Sequence, residues 1–150
     1  MNFPKTVPLK RVATLTAGQS PPSEDVKPID SGTPFIQGNG EFKEQHPEPR
    51  FECNSASKHA EAGDILLSVR APVGALNIAD RRYAIGRGLC AIHPTSCDAR
   101  FLWWWLHSCM PHLKSVATGS TYTAVSVEQV GSLSFPLISP SEQRRIADFL

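Results

Sequence analysis

The chain lacks the motifs that announce the common enzyme classes. It has no G-x-S-x-G, no P-loop lysine and no H-E-x-x-H, which removes the serine-hydrolase elbow, the phosphate cradle and the helical zinc-hydrolase site. An Asp/Asn-Pro-Pro-aromatic string and a glycine-rich strand-to-helix turn, both expected of an adenine methyltransferase, are missing as well. Gly38-Asn39-Gly40 comes nearest and lacks the remaining glycine of the dinucleotide fingerprint. A chain with no catalytic residues, no cofactor and no metal of its own is the expectation.

Long apolar runs are absent too. None approaches the length of a transmembrane helix, and Met1-Asn2-Phe3-Pro4-Lys5 does not have the basic-then-apolar order of a signal peptide, so a soluble cytoplasmic protein is expected. The cysteines Cys53, Cys90, Cys97 and Cys109 are irregularly spaced with no C-x-x-C, which predicts free buried thiols rather than disulfides or a zinc ribbon. His107 and His112 are separated by a spacing of five with Pro111 between them, which spoils the i, i+4 face of a helical zinc site.

A large charge of either sign is also wanting, since 15 basic and 14 acidic residues leave a net +1. The distribution is uneven: residues 1–23 carry +3, residues 24–64 carry −5, residues 65–123 carry +4 and the remainder −1. The first and third of these segments can form a basic face, although ordinary solvated surface accounts for the same arginines.

What is present fits one domain, because 150 residues of which 41% are hydrophobic bury a single core. Leu9, Val12, Ala13 and Leu15 suggest a short element ending at Gly18, followed by the proline-enforced loop Gln19-Ser20-Pro21-Pro22-Ser23. Thr33 to Gln37 reads as a strand entering Gly38-Asn39-Gly40, a turn capable of positive φ. The amides of Gln37 and Asn39 are of the type that reads adenine edges in the major groove, and a plain hairpin turn fits the same residues. Glu41 to His59 has little periodicity and reads as a surface loop with strand fragments, or equally as a DNA-reading loop.

Asp64 to Arg70, Val73 to Ala79, Arg82 to Ile85 and Gly88 to Ile92 are short β-rich runs punctuated by glycine and proline, which predicts a curved, mostly antiparallel sheet. Arg70, Arg81, Arg82 and Arg87 fall at or near the strand ends. A guanidinium on a rigid turn reaches guanine O6/N7 or a phosphate, or it simply caps a strand. Asp98 to Lys114 is the strong internal helix, with a break expected at Pro111. Trp103, Trp104 and Trp105 point about 100° apart on such a helix and cannot form one stacking platform, so they read as packing residues.

The most informative stretch is Ala117 to Leu150. Thr118-Gly119-Ser120-Thr121-Tyr122-Thr123 offers five hydroxyls and a glycine, a composition suited to hydrogen-bonding a polyanionic backbone. Ser126 and Gln129 have capping-box spacing, so Val127 to Val130 should form a helical turn stopped by Gly131. Leu133, Phe135 and Leu137 alternate as an edge strand, and Ser139-Pro140-Ser141-Glu142 sets an N-cap, an N1 proline and an N3 glutamate in order.

These residues carry a family resemblance. Gly119-Ser120-Thr121, the strand into Phe135-Pro136-Leu137-Ile138-Ser139-Pro140, and Glu142-Gln143-Arg144-Arg145-Ile146-Ala147 resemble the end of a target recognition domain from the specificity subunits of type I restriction-modification enzymes. The Pro4 to Gly18 opening, Pro34-Phe35-Ile36, Gly63-Asp64-Ile65-Leu66 with Ser68, and Phe101-Leu102 match the same family in order. The resemblance implies an α+β domain with a curved, mostly antiparallel sheet and flanking helices over residues 1–138, then the start of a long spacer and docking helix over 139–150. It implies sequence-specific recognition of one half of a bipartite double-stranded DNA target, with chemistry on partners: a modification subunit binding S-adenosylmethionine and, indirectly, a restriction subunit using ATP. It favours Arg70 and Arg87 as DNA contacts and leaves Arg81 and Arg82 between the two readings, while Ser120, Thr121, Tyr122 and Thr123 would hold phosphates. Arg145, Ile146, Phe149 and Leu150 would form a docking patch, and an assembly module with incidental DNA contact is the competing reading. Family members hold two such domains in tandem, whereas this chain has no internal repeat, so an excised domain or a half-subunit pairing with a second copy is expected.

Overall fold

Alternation within two strands builds the layers of this molecule. The structure is a computed structural model that describes residues 5–119 and 123–150. In chain order its strands are β1 (Thr6–Pro8), β2 (Ala13–Ala17), β3 (Lys27–Pro28), β4 (Pro34–Ile36), β5 (Phe51–Glu52), β6 (His59–Ala60), β7 (Ile65–Ser68), β8 (Leu76–Ile78), β9 (Tyr83–Ile85) and β10 (Leu89–Pro94). Helix α1 (Ala99–Thr118), helix α2 (Val127–Gly131), strand β11 (Ser134–Pro136) and helix α3 (Pro140–Ala147) complete the chain. Along β7, Ile65 and Leu67 point into a core shared with α1, while Leu66 points into a second core; along β10, Cys90 and Ile92 share the first and Leu89 and Ala91 the second. Both faces of these strands are covered, which is why they read as continuous apolar runs instead of alternating ones.

The expected single curved sheet resolves into three. A four-stranded antiparallel sheet, ordered β2-β10-β7-β8, lies between α1 and a five-stranded sheet ordered β3-β5-β4-β9-β6, and β1 pairs with β11 apart from both. The five-stranded sheet is mixed, because β4 runs parallel to β9 with Phe35 opposite Ala84 and Ile36 opposite Ile85. The architecture is α+β, mainly antiparallel, with flanking helices.

Helix α1 starts at Asp98, whose carboxylate accepts from the Phe101 N–H, and buries the stripe Leu102, Leu106, Met110, Leu113 and Ala117. It does not break at Pro111. That residue sits on the exposed side, and the packing of Leu113 and Ala117 beyond it outweighs the interior-proline cost of about 3 kcal/mol. The capping box of Ser126 and Gln129 forms as expected, with Gly131 as the last residue of α2 rather than a left-handed stop. Ser139 caps α3 through the Glu142 N–H.

Two contacts tie the ends of the domain together. Strand β1 pairs with β11 over Thr6 to Pro8, and the Leu137 N–H donates to the Lys5 carbonyl at 2.7 Å. Helix α3 buries Gln143 and Ala147 against the body, with Gln143 Oε1 accepting from Asp98 N at 2.7 Å and Nε2 donating to Ile138 O at 2.9 Å. Phe135 lies edge-on to Phe101 and Trp105, and Trp104 is left 44% exposed. All four cysteines are free, with burial pushing the Cys90 thiol up to about 12 and Cys97 up to about 11.

Candidate nucleic-acid interface

Strand ends from the central sheet bring Arg70 and Arg87 to one cleft of about 530 Å³. Arg70 leaves β7 on a turn held by Ser68, whose hydroxyl lies 2.9 and 2.8 Å from the carbonyls of Arg70 and Pro72 and shares its proton between them. Its backbone also bridges to Ala124, and Val125 N donates to Val69 O at 2.9 Å, so the end of the hydroxyl-rich segment is stitched beside it. Thr123, at the start of that stitch, has φ 48, a left-handed backbone that a β-branched residue adopts only when its surroundings hold it there. Ser126 and Gln129 of the α2 cap also line the cleft, and the two arginines are the only charged residues among the described lining. Both arginines are exposed.

Arg87 is placed by three chain segments meeting backbone to backbone. Gly18 N donates to Leu89 O, Gly86 N to Ile36 O and Gly88 N to Gln37 O. These approaches require glycine. A Cβ on Gly18 would lie 1.9 Å from the Gly86 carbonyl oxygen, one on Gly86 2.8 Å from Gln37 Cα, and one on Gly88 2.9 Å from Gln37 O. Across the junction the Ser20 hydroxyl accepts from Arg87 N at 3.4 Å and Nε at 3.3 Å, and donates to Gln37 Oε1 at 3.0 Å. Gln37 and Arg87, far apart in the sequence, are therefore neighbours. Ser20 was not singled out by sequence reasoning, because nothing local marks a loop serine as the partner of an arginine 67 residues away.

The other arginines are elsewhere. Arg81 and Arg82 line a separate cleft together with Thr33, Asn54 and the carboxylate of Glu52. Arg82 Nε is paired with Glu61 at 3.1 Å, and Arg81 lies over the Tyr83 ring at 5.7 Å, so part of what each offers is engaged within the protein. Asn39 opens a 3-10 turn (Asn39–Glu41), and Gly38 before it is extended with φ −159, so the expected positive-φ turn does not form. Ser120, Thr121 and Tyr122 lie outside the described residues. On α3, Arg145 pairs with Glu142 at 2.8 Å and Ile146 is exposed, as are Phe149, at 86%, and Leu150 beyond the end of the helix. Among the described residues no group of three or more His, Cys, Asp or Glu side chains is placed to hold a metal ion, and no helix is long and apolar enough to cross a membrane.

Comparison with known proteins agrees with this geometry. The model of the type I restriction modification DNA specificity domain matches residues 4–150. A protein of Methanocaldococcus jannaschii named as the type I restriction enzyme MjaX specificity subunit is 37% identical over 135 residues, covering 89% of this chain and 32% of that protein. The crystal structure of the HsdS subunit from Thermoanaerobacter tengcongensis superposes with a TM-score of 0.88 at 37% identity, covering 99% of this chain and 37% of that one. A chain from a study of complex assembly and conformational transition of the type I R-M system gives 0.89, also at 37% identity, covering 99% of this chain and 38% of that one. The S subunit from M. genitalium, 18% identical with a TM-score of 0.69 and covering 97% of this chain and 37% of that one, shares the fold. This chain thus spans about a third of the length of each relative. A match across residues 4–150, together with that identity, establishes that the chain belongs to the type I restriction modification DNA specificity domain family.

Proposed function

We propose that this chain recognises one half of a bipartite double-stranded DNA target and directs catalytic partners to it. It performs no chemistry itself. The observation that carries the reading is the convergence of Arg70 and Arg87 on one cleft whose described lining holds no acid. Two guanidinium groups on turns braced by Ser68 and Ser20 have the reach and rigidity for base edges or phosphates. Thr123 and the hydroxyls before it fit phosphate contacts that fix register without specifying sequence. Arg81 and Arg82, engaged with Tyr83 and Glu61, contribute less.

Catalysis is assigned to a modification subunit that binds S-adenosylmethionine and, through it, to a restriction subunit that uses ATP. The segment 139–150 is the start of a spacer and docking helix, and its Ile146, Phe149 and Leu150 face solvent with Arg145 beside them. A second recognition domain, or a second copy of this one, supplies the other half-site.

The test is a gel-shift or fluorescence titration of duplexes at low and moderate salt, with and without the modification subunit. Binding that falls steeply with salt is expected, and Arg70→Ala or Arg87→Ala should each cost about 1–3 kcal/mol while partner binding is kept. Absence of salt-dependent DNA binding even with the partner present overturns the proposal and favours an assembly module.

A further inference from the structure

We infer that Ser20 is a positioning residue that turns Gln37 and Arg87 into a guanine-selecting pair; the inference rests on the DNA-recognition reading above. A serine hydroxyl has one hydrogen to donate and two lone pairs to accept with. Around Ser20, Arg87 N and Nε are both donors, so they occupy the lone pairs, at 3.4 and 3.3 Å. The single proton must go to the remaining neighbour, Gln37, at 3.0 Å, and only the amide oxygen can receive it. The Gln37 amide is thereby oriented with its oxygen inward and its NH2 free to donate.

Packing reinforces that orientation. Gln37 Oε1 sits so close over Gly86 that a Cβ there would lie 2.4 Å away, leaving the oxygen confined between Gly86 and Ser20. Arg87 spends its Nε on Ser20, and its other guanidinium nitrogens are donors without exception. Both side chains are exposed. The pair therefore presents hydrogens outward, with the Gln37 oxygen turned in toward Ser20 and Gly86.

Only one base edge in the major groove asks for that. Adenine pairs its N7 acceptor with an N6 donor and needs one acceptor from the protein, cytosine offers a donor, and thymine offers one acceptor beside a methyl group. Guanine presents N7 and O6 side by side, both acceptors. The adenine-reading role that Gln37 suggests as an isolated side chain is thus redirected by Ser20. A phosphate is also all acceptor, and the experiment separates it from guanine.

The chain, with its modification subunit, is used to select from a pool of duplexes carrying a randomised window, and the retained DNA is sequenced. Wild type should enrich guanine at one fixed position. Ser20→Ala should reduce that guanine preference roughly tenfold, Ser20→Thr should retain it, and all three should show the same salt dependence. An unchanged guanine preference in Ser20→Ala overturns the inference, as does uniform weakening on every sequence, which marks a phosphate contact. If wild type retains no duplex at low salt, the DNA-recognition reading falls and this inference with it; retention without any change at guanine removes the inference alone.

Discussion

Gly86 shows how much a single residue settles here. Its missing side chain lets the loop that carries Arg87 lie on Gln37, and an added methyl would meet the Gln37 side-chain oxygen at 2.4 Å and its Cα at 2.8 Å. Gly86→Ala should therefore cost about 1–3 kcal/mol of stability. Gly40→Ala, whose Cβ would meet nothing within 4 Å, should stay within about 0.5 kcal/mol. Urea denaturation midpoints of the two variants check this, and equal midpoints would contradict the close packing. Among the residues of the cleft, Arg70 and Arg87 were legible in the sequence because proline and glycine mark their turns. The resemblance already set them apart from Arg81 and Arg82, but the engagement of those two with Tyr83 and Glu61 was not legible, since these partners become relevant only once the chain is folded.

At the scale of elements, Phe135 on β11 joins the end of the domain to α1. Phe135, 1% exposed, has its ring 5.7 Å from that of Phe101 and 4.9 Å from that of Trp105, both edge-on. Phe135→Ala should cost about 3–5 kcal/mol, whereas Trp104→Ala, 44% exposed on the same helix, should cost clearly less, about 1 kcal/mol. Thermal melts would distinguish them, and a Trp104 loss as large as that of Phe135 would refute the assignment of faces. The helix starts at Asp98, Ser126 and Ser139 were readable from sequence because a cap is a local bond spanning three residues. The partition into three sheets was not, because a strand covered on both faces loses the two-residue rhythm, and nothing local says that β9 pairs in parallel with β4. Pro111 misled for the opposite reason: a local rule was overridden by packing farther along the helix.

The whole molecule has an acid-sensitive side. Burial holds His59 below its ordinary pKa, with Arg82 adding to the effect and Glu61 opposing it, and burial lowers His107 as well. The native chain then resists protonation at these rings, while the unfolded chain takes up protons near pH 6.5. Stability should be level above that value and decline as the pH falls through it, until the depressed native pKa values are passed. His59→Gln should make the decline shallower in urea titrations run at several pH values; an unchanged slope would show that His59 does not contribute.

The β1–β11 pairing has a different kind of consequence. Because Lys5 and Leu137 are hydrogen-bonded to each other, the path of the chain enters and leaves the domain through one doorway. Everything between them, including both arginine turns and the serines that brace them, hangs from that doorway as a cartridge. Loops inside it can change without touching that pairing, whereas α3 beyond it stays fastened to the body, because Gln143 Oε1 accepts from Asp98 N and Arg100 pairs with Asp148.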